Sequence, residues 1–243
     1  MIPKIIHYSW ISNDEKPELI RRCMDTWGEH LSDYQFINWN LDSFDFNSSK
    51  WLSEAYEAKN WAACSDYLRV INVYKIGGIW LDTDVEVLKS FDDLLHLPYF
   101  IGKEPYFFDS KFSDRNPEAA VFGFEPGNNF LGLVLEWFDS HSYKEVCENN
   151  EYITLPVLMK KIINENYTCR IINDQNEFDY SDEVLNTFDF YFFSPVCKNY
   201  DGSTVFDLTS DETYCIHRFA GSWIIGFMNH NNMNWEQTKK IFH

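Results

Sequence analysis

A helix that ends at two glycines and leads into a short buried strand is the feature that most constrains the fold of this chain. It spans residues 61–88. Four side chains recur at helical spacing and predict one buried face: Cys64, Leu68, Ile71 and Tyr74. Gly77 and Gly78 can end this helix, because glycine adopts the left-handed cap geometry without a Cβ clash. The apolar residues 79–81 then predict a strand buried on both faces, and open α/β sheets bind ligands beyond the carboxyl ends of such strands.

Two carboxylates, Asp82 and Asp84, follow this strand with one residue between them. On a continuing strand they would point to the same side, where their repulsion is costly unless a cation lies between them or both remain in water. Carboxylate oxygens suit Mg²⁺ or Mn²⁺, and both metals also bind diphosphates. The pattern therefore indicates either a metal–diphosphate site or a solvated acidic turn, and it does not distinguish the two by itself.

An ionic pair on the preceding helix bears on that choice. Asp66 and Arg69 are spaced i, i+3, so they lie on one helix face beside the apolar stripe. From there they can reach a cleft next to the strand end. The alternative is a surface ion pair that contributes a few tenths of a kcal/mol.

Strands and helices alternate on both sides of this stretch, which predicts a parallel α/β sheet. In the first half the predicted order is strand, helix, strand, helix over residues 2–10, 17–30, 34–39 and 51–58. In the second half the patterns predict a polar loop, a buried strand, a helix, an irregular acidic segment and a last strand over residues 109–118, 119–124, 151–164, 174–189 and 213–217.

Two histidines are placed at strands. His7 lies within the first predicted strand and is interpreted as a core histidine with satisfied ring nitrogens. His217 stands at the end of the last predicted strand. A neutral imidazole suits Mn²⁺ as a third protein ligand beside the two aspartates, and a buried structural histidine is the alternative.

The composition of the chain limits which binding partners and which cellular locations are expected. The formal net charge of −18 argues against nucleic acid and against electrostatic docking on anionic lipid, so at most peripheral membrane contact is expected. No apolar run approaches the length of a membrane span. No export signal is visible and the six cysteines are scattered, which predicts reduced thiols and a cytoplasmic protein, with the inner face of the cell membrane as one location.

Three motifs together resemble a known enzyme family. The segment 62–84 contains SDYLR, YKIGG and IWLDTD, and it resembles the DXD glycosyltransferases of family 32. These include bacterial capsule and polysaccharide transferases and yeast-type initiating mannosyltransferases. The segment is also similar to the core of the large clostridial toxin glucosyltransferases. The opening residues 2–12 resemble the family's first strand, and residues 215–223 resemble its C-terminal motif.

The resemblance implies a GT-A-like nucleotide-sugar-binding α/β fold with a single central, mostly parallel sheet flanked by helices. One domain is expected over residues 1–243. Residues 1–90 would form its nucleotide-binding half. Residues 91–243 would form the acceptor side and carry the C-terminal metal and diphosphate motif.

The same resemblance implies roles for individual residues. Trp10 would stack on the base, as the matching tryptophan of the toxin enzymes stacks on uracil, which favours a UDP-sugar. Asp66 and Arg69 would hold the sugar hydroxyls. Asp82 would bridge the ribose and the sugar and lie beside the metal. Asp84 and His217 would ligate Mn²⁺ or Mg²⁺. Ser222 and Trp223 would contact the diphosphate.

The implied activity is a metal-dependent, retaining hexosyl transfer from a UDP-sugar to a glycan acceptor in capsular polysaccharide biosynthesis. Galactose or glucose is the expected sugar, and a lipid-linked oligosaccharide is one expected form of acceptor. Two alternatives remain open. A phosphatase of the haloacid dehalogenase type also begins with Asp-x-Asp after a buried strand, although Glu86 stands where that family has Thr or Val. A sugar-binding protein without catalysis is the other.

Overall fold

The computed structural model describes residues 1–11, 14–105, 115–149, 153–198 and 204–220. Its α-helices are α1 Glu18–His30, α2 Lys50–Glu57, α3 Trp61–Ile76, α4 Asn129–Ser140, α5 Tyr143–Glu148 and α6 Leu155–Asn166. Its strands are β1 Ile5–Tyr8, β2 Gln35–Asn38, β3 Gly78–Leu81, β4 Val85–Val87, β5 Tyr99–Lys103, β6 Pro117–Phe124, β7 Thr168–Ile172, β8 Val184–Phe188, β9 Val196–Lys198, β10 Thr204–Asp207 and β11 Cys215–His217.

Within these ranges, seven strands form one central sheet in the order β2-β1-β3-β6-β5-β8-β7. Strand β6 runs antiparallel to both of its neighbours, β3 and β5, and the other neighbouring pairs are parallel. The expected central, mostly parallel sheet flanked by helices is confirmed. Because β1 and β3 are parallel neighbours, their carboxyl ends lie at the same edge of the sheet.

Helix α3 lies at the centre of the molecule. The Asn60 side chain caps it by accepting a hydrogen bond from the Ala63 N–H at 3.1 Å. Gly77 ends it at φ 71°, and a Cβ there would lie 2.6 Å from Pro126 Cδ. The helix contacts α2 and α4 as well as β1, β3 and β6. The predicted single apolar stripe is therefore too narrow, since buried residues occupy most of the circumference: Ala63, Cys64, Tyr67, Leu68, Arg69, Val70, Ile71, Asn72 and Val73.

A small two-stranded sheet joins two segments that lie far apart along the chain. Strands β4 and β11 pair in antiparallel register, with His217 opposite Val85. Helix α1 holds β4 from the other side, because the Trp27 indole N–H donates to the Val85 carbonyl at 2.8 Å. The pairing places β11 beside β4, next to the turn that follows β3.

The predicted role of His7 as a satisfied core histidine is confirmed. The side chain is fully buried, its Nε2 lies 2.8 Å from the Gly77 carbonyl, and the Trp39 indole N–H donates to its Nδ1 at 3.0 Å. Both ring nitrogens are therefore occupied by the fold.

Two predicted segments of the second half differ in part from the structure. The segment 174–189 is not irregular throughout, since it contains β8, which pairs with β5 and β7. Its polar Asn186 is buried and hydrogen-bonds the Tyr99 hydroxyl, so a core strand carries polar residues there. The helix predicted over 151–164 begins later, at Leu155, where Pro156 is tolerated in the first turn.

Candidate functional site

The two aspartates lie on a turn rather than on a continuing strand. Strand β3 ends at Leu81, and the Asp82 N–H still donates to the Ala120 carbonyl of β6 at 2.9 Å. The Val85 N–H then donates to the Asp82 carbonyl at 3.0 Å and closes the turn into β4. The two carboxylates therefore do not share one side of a continuing strand, but the turn still brings them towards one another.

Strand β11 adds a histidine to this pair. Single ligand atoms of Asp82, Asp84 and His217 all lie within 4.8 Å of one another. The His217 Nε2 lies 3.5 Å from Asp84 Oδ2, and both side chains are 14 % exposed. The backbone fixes Asp84 further, because the Ala220 N–H donates to its Oδ2 at 2.8 Å.

This donor set fits a divalent metal ion. Two carboxylates and one imidazole are ligands that Mn²⁺ and Mg²⁺ accept, and three protein ligands leave coordination positions for phosphate oxygens and water. The close approach of two partly buried carboxylates is also the arrangement that a cation stabilises.

Arg69 links this cluster to helix α3. The residue is 6 % exposed, and its guanidinium lies 3.2 Å from Asp82 Oδ2 and 3.3 Å from Asp66 Oδ1. It also donates to the Ala119 carbonyl at 2.6 Å. The alternative of a surface ion pair is wrong, because Asp66 and Arg69 are both largely buried and Arg69 also contacts Asp82. The structure thus brings together Asp66, Arg69, Asp82, Asp84 and His217.

The carboxyl groups of the cluster differ in their acidity. Burial raises the pKa of Asp66 to about 6, although Arg69 opposes this. Burial also raises the pKa of Asp82 against the effect of Arg69. For Asp84, burial is outweighed by His217 and by the Ala220 N–H, so its pKa is lowered. His217 shows the converse: burial lowers its pKa, but Asp84 and Glu118 raise it well above the usual value.

A buried glutamate behind His217 is absent from the residues singled out in the sequence. Glu118 is 1 % exposed, and its Oε1 lies 3.6 Å from His217 Nδ1. Burial and the Glu118 charge together raise the pKa of the nearby Glu104 to about 8. The strand β6 begins two residues earlier than predicted, so Glu118 belongs to the strand and not to a polar loop. A charged residue beside an otherwise apolar run is the signal that could have indicated it.

Trp10 lies beyond the carboxyl end of β1, at the sheet edge that also carries Asp82. Its ring is partly buried, and its indole N–H donates to the Asp14 carbonyl at 3.1 Å. The Lys16 Nζ lies 5.3 Å from the centre of the ring. Ser222 and Trp223, the expected diphosphate contacts, lie outside the described residues.

Comparison with known proteins connects this site with an enzyme class. Residues 17–101 match the family model of the glycosyltransferase sugar-binding region containing the DXD motif. The matched region includes α3, the β3–β4 turn and the Asp66–Arg69 pair, whereas β6 and β11 lie beyond it.

Two fungal proteins are similar to parts of the chain. Inositol phosphoceramide mannosyltransferase 3 of Schizosaccharomyces pombe is 29 % identical over 141 residues, which cover 55 % of this chain and 36 % of the relative. Glucan organizing enzyme 1 of Cryptococcus neoformans is 38 % identical over 85 residues, which cover 34 % of this chain and 23 % of the relative. The match thus extends over about a third or less of the length of these curated relatives.

Among solved structures, the PaToxG glycosyltransferase superposes with a TM-score of 0.50 at 16 % identity, covering 68 % of this chain and 69 % of that one. The fold is GT-A-like. Together with the DXD region and the mannosyltransferase relative, it supports a transferase enzyme of the glycosyltransferase class. In the part of the chain that the structure describes, no helix is both long and apolar enough to cross a membrane.

Proposed function

We propose that this chain is a metal-dependent glycosyltransferase that moves a hexose from a nucleoside diphosphate sugar to a glycan acceptor. One observation supports the proposal above the others. Asp82, Asp84 and His217 present ligand atoms within 4.8 Å of one another, and the buried Asp66–Arg69 pair of α3 lies beside them. A metal-binding triad beside an ionic pair suits a ligand with a diphosphate at one end and hydroxyl groups at the other.

The chemistry requires the leaving diphosphate to be neutralised as its negative charge grows. Asp84, Asp82 and His217 would hold Mn²⁺ or Mg²⁺, which when bound supplies Lewis-acid stabilisation of that charge. Both carboxylate oxygens of Asp82 accept a hydrogen bond that fixes the orientation of the side chain. The Trp80 indole N–H donates to Oδ1 at 2.8 Å, and Arg69 donates to Oδ2 at 3.2 Å.

Asp66 and Arg69 are proposed to position the donor sugar. The Leu155 N–H donates to Asp66 Oδ2 at 3.4 Å, and Arg69 lies beside Oδ1, so the carboxylate is held from two sides. Hydrogen bonds from sugar hydroxyls to such a fixed carboxylate orient the anomeric carbon without further loss of side-chain entropy. Trp10 is proposed to carry the base at the same sheet edge.

Retention of the anomeric configuration is part of the proposal. A pair of carboxylates arranged as in glycosidases is not evident from the sequence, so we propose attack on the same face through an oxocarbenium-like state. A product with inverted configuration at the anomeric carbon would contradict this step.

The donor sugar is the least constrained part of the proposal. The Schizosaccharomyces pombe relative, matched over 141 residues, is by its name a mannosyltransferase, which favours mannose over the glucose or galactose expected from the sequence. The same relative acts, by its name, on inositol phosphoceramide, which supports a lipid-linked acceptor. A UDP-sugar, a role in capsular polysaccharide biosynthesis and a cytoplasmic location stay predictions.

The test is to incubate the purified chain with GDP-mannose, UDP-glucose and UDP-galactose in the presence of Mn²⁺ and to measure nucleoside diphosphate release. Release from one donor, and its loss on chelation, is the expected result. Absence of release from all three by folded protein would contradict the proposal. Release of phosphate from simple phosphomonoesters would instead favour the phosphatase.

A further inference from the structure

We propose that Glu118 is a positioning residue of the metal site, which holds the His217 ring so that Nε2 is directed at the metal. This inference rests on the proposed metal-binding function. The imidazole lies between two carboxylates: its Nε2 is 3.5 Å from Asp84 Oδ2 and its Nδ1 is 3.6 Å from Glu118 Oε1. Asp84 belongs to the candidate ligand set, whereas Glu118 lies behind the ring at 1 % exposure.

The orientation of Glu118 is fixed by two donors. The Ala120 N–H donates to its Oε1 at 2.9 Å, and the Ser194 hydroxyl donates to its Oε2. Ser194 is itself fully buried, and its N–H donates to the Phe190 carbonyl at 2.7 Å. A buried carboxylate needs such donors, and the Oε1 atom retains a lone pair for a further one.

The Nδ1 atom of His217 supplies the missing donor. Among the described residues it has no hydrogen-bond partner within the usual distance, although it is fully buried. Glu118 Oε1 is only slightly beyond that distance. A small rotation of the ring would make the bond.

Such a bond has a defined effect on the metal site. The tautomer of a ligating histidine is set by the hydrogen bond of its other ring nitrogen, commonly to a carboxylate. In the metal-bound site the imidazole must be neutral, and a proton held on Nδ1 by Glu118 would leave the Nε2 lone pair facing Asp84 and Asp82. Glu118 would thereby act on the metal through His217 without touching it.

The test measures Mn²⁺ affinity of the whole chain by calorimetry, without any substrate. Glu118→Leu is expected to weaken Mn²⁺ binding by about 10- to 100-fold. Glu118→Gln is expected to stay within about fivefold of wild type, because its amide oxygen can still accept from His217 and Ala120. Glu54→Leu is the matched control, because Glu54 also accepts a hydrogen bond from a serine hydroxyl, that of Ser142. This variant should leave the Mn²⁺ affinity unchanged.

A spectroscopic readout separates positioning from simple loss of structure. In the Mg²⁺-loaded wild type, imidazole ¹⁵N shifts, assigned by comparison with His217→Gln, should show the proton on Nδ1 of His217. In Glu118→Leu that preference should be lost. If Glu118→Leu does not fold, Ser194→Ala should show a smaller loss of Mn²⁺ affinity in the same direction.

Three results would overturn the inference. They are unchanged Mn²⁺ affinity in folded Glu118→Leu, unchanged affinity in Ser194→Ala where that variant replaces it, and a proton on Nε2 in the Mg²⁺-loaded wild type. Asp84→Asn distinguishes this failure from failure of the proposed function. If wild type binds no Mn²⁺, or Asp84→Asn binds it as well as wild type does, the metal site itself is wrong, and the role of Glu118 falls with it.

Discussion

The two halves of the site are built in different ways. The half formed by α3, β3 and the turn to β4 comes from residues 66–84, which are close along the chain. The half formed by β6 and β11 brings Glu118 and His217 to the same place from far along the sequence. The local half is held by buried ionic contacts of Arg69, and the distant half by backbone pairing and hydrogen bonds around one histidine. Changes in the pairing of β4 with β11 should therefore have little effect on the local half, whereas they should alter the position of His217 in the distant half.

The largest expected effect is loss of the buried cation in the local half. Arg69→Met leaves Asp66 and Asp82 without their shared partner, and breaking a buried ion pair typically costs about 3–5 kcal/mol in the free energy of unfolding. Urea denaturation of the variant and wild type measures the difference. The control is Arg21→Met, which removes an exposed pair with Glu15 and should cost about 1 kcal/mol or less. Equal losses in the two variants would show that the Arg69 contacts are not the main support of this half.

The next effect concerns catalysis. Asp84→Asn keeps the side-chain volume but removes a ligand charge, so donor turnover should fall by about 10²- to 10³-fold while the fold is retained. Initial rates of nucleoside diphosphate release at saturating Mn²⁺ measure this. The exposed Asp25→Asn on α1 serves as the control. A turnover within a few-fold of wild type would remove Asp84 from the proposed site.

Removal of the Asp66 carboxyl, unlike removal of Arg69, is expected to increase the free energy of unfolding at neutral pH. Its pKa in the folded protein is about 6, above the value of 3.8 expected in the unfolded chain. Between these values the folded protein holds a proton that the unfolded chain has lost, so stability falls as the pH rises through this window. Asp66→Asn should therefore be more stable than wild type by up to about 3 kcal/mol at pH 7 and lose this advantage near pH 4.

Unfolding free energies at several pH values measure the Asp66 effect. Donor turnover of the variant should fall at the same time, because the carboxylate is proposed to bind sugar hydroxyls. A stability difference that does not change with pH would show that the Asp66 carboxyl is not strained by its burial.

The smallest effect tests the pairing that carries His217. The Arg218 side chain hydrogen-bonds Glu86 across β4 and β11, and both groups are partly exposed. Arg218→Glu should destabilise the protein by about 1 kcal/mol and weaken Mn²⁺ binding several-fold, since the pairing positions His217 opposite Val85. The double variant Glu86→Arg, Arg218→Glu should recover most of the affinity. Failure of the swap to recover it would show that the ion pair does not set the register.

The local half of the site is the half that the sequence predicts better. Helix α3 and strand β3 follow the prediction to within a residue, because Gly77 ends the helix at a positive φ that glycine adopts readily. The sequence indicates a shared site for Asp82 and Asp84 but leaves open whether a strand or a turn brings them together, and the structure has a turn there. Arg69 could be paired with Asp66 from its spacing, but its contact with Asp82 requires the packing of α3 on the sheet.

The distant half offers weaker signals. His217 could be selected as a strand-end histidine, but no local pattern states that β11 pairs with β4. The sequence places Glu118 in a polar loop because charged residues are rarely buried in strands, and its partners Ser194 and His217 are far along the chain. The sequence does not indicate strand β8 for a similar reason, since Asn186 is polar and finds its partners, Tyr99 and Asp179, only in the fold.

The most direct test of the central claim is the thermal stability of the chain with UDP, GDP and CDP, each with and without Mn²⁺. A ligand that binds only the native state at a hundredfold excess over its Kd stabilises by about 2.7 kcal/mol. We expect a rise in Tm with at least one nucleotide that requires Mn²⁺ and is lost in Asp84→Asn. A Tm that no nucleotide changes, in protein shown to be folded, would contradict the transferase account and favour a sugar-binding protein without catalysis.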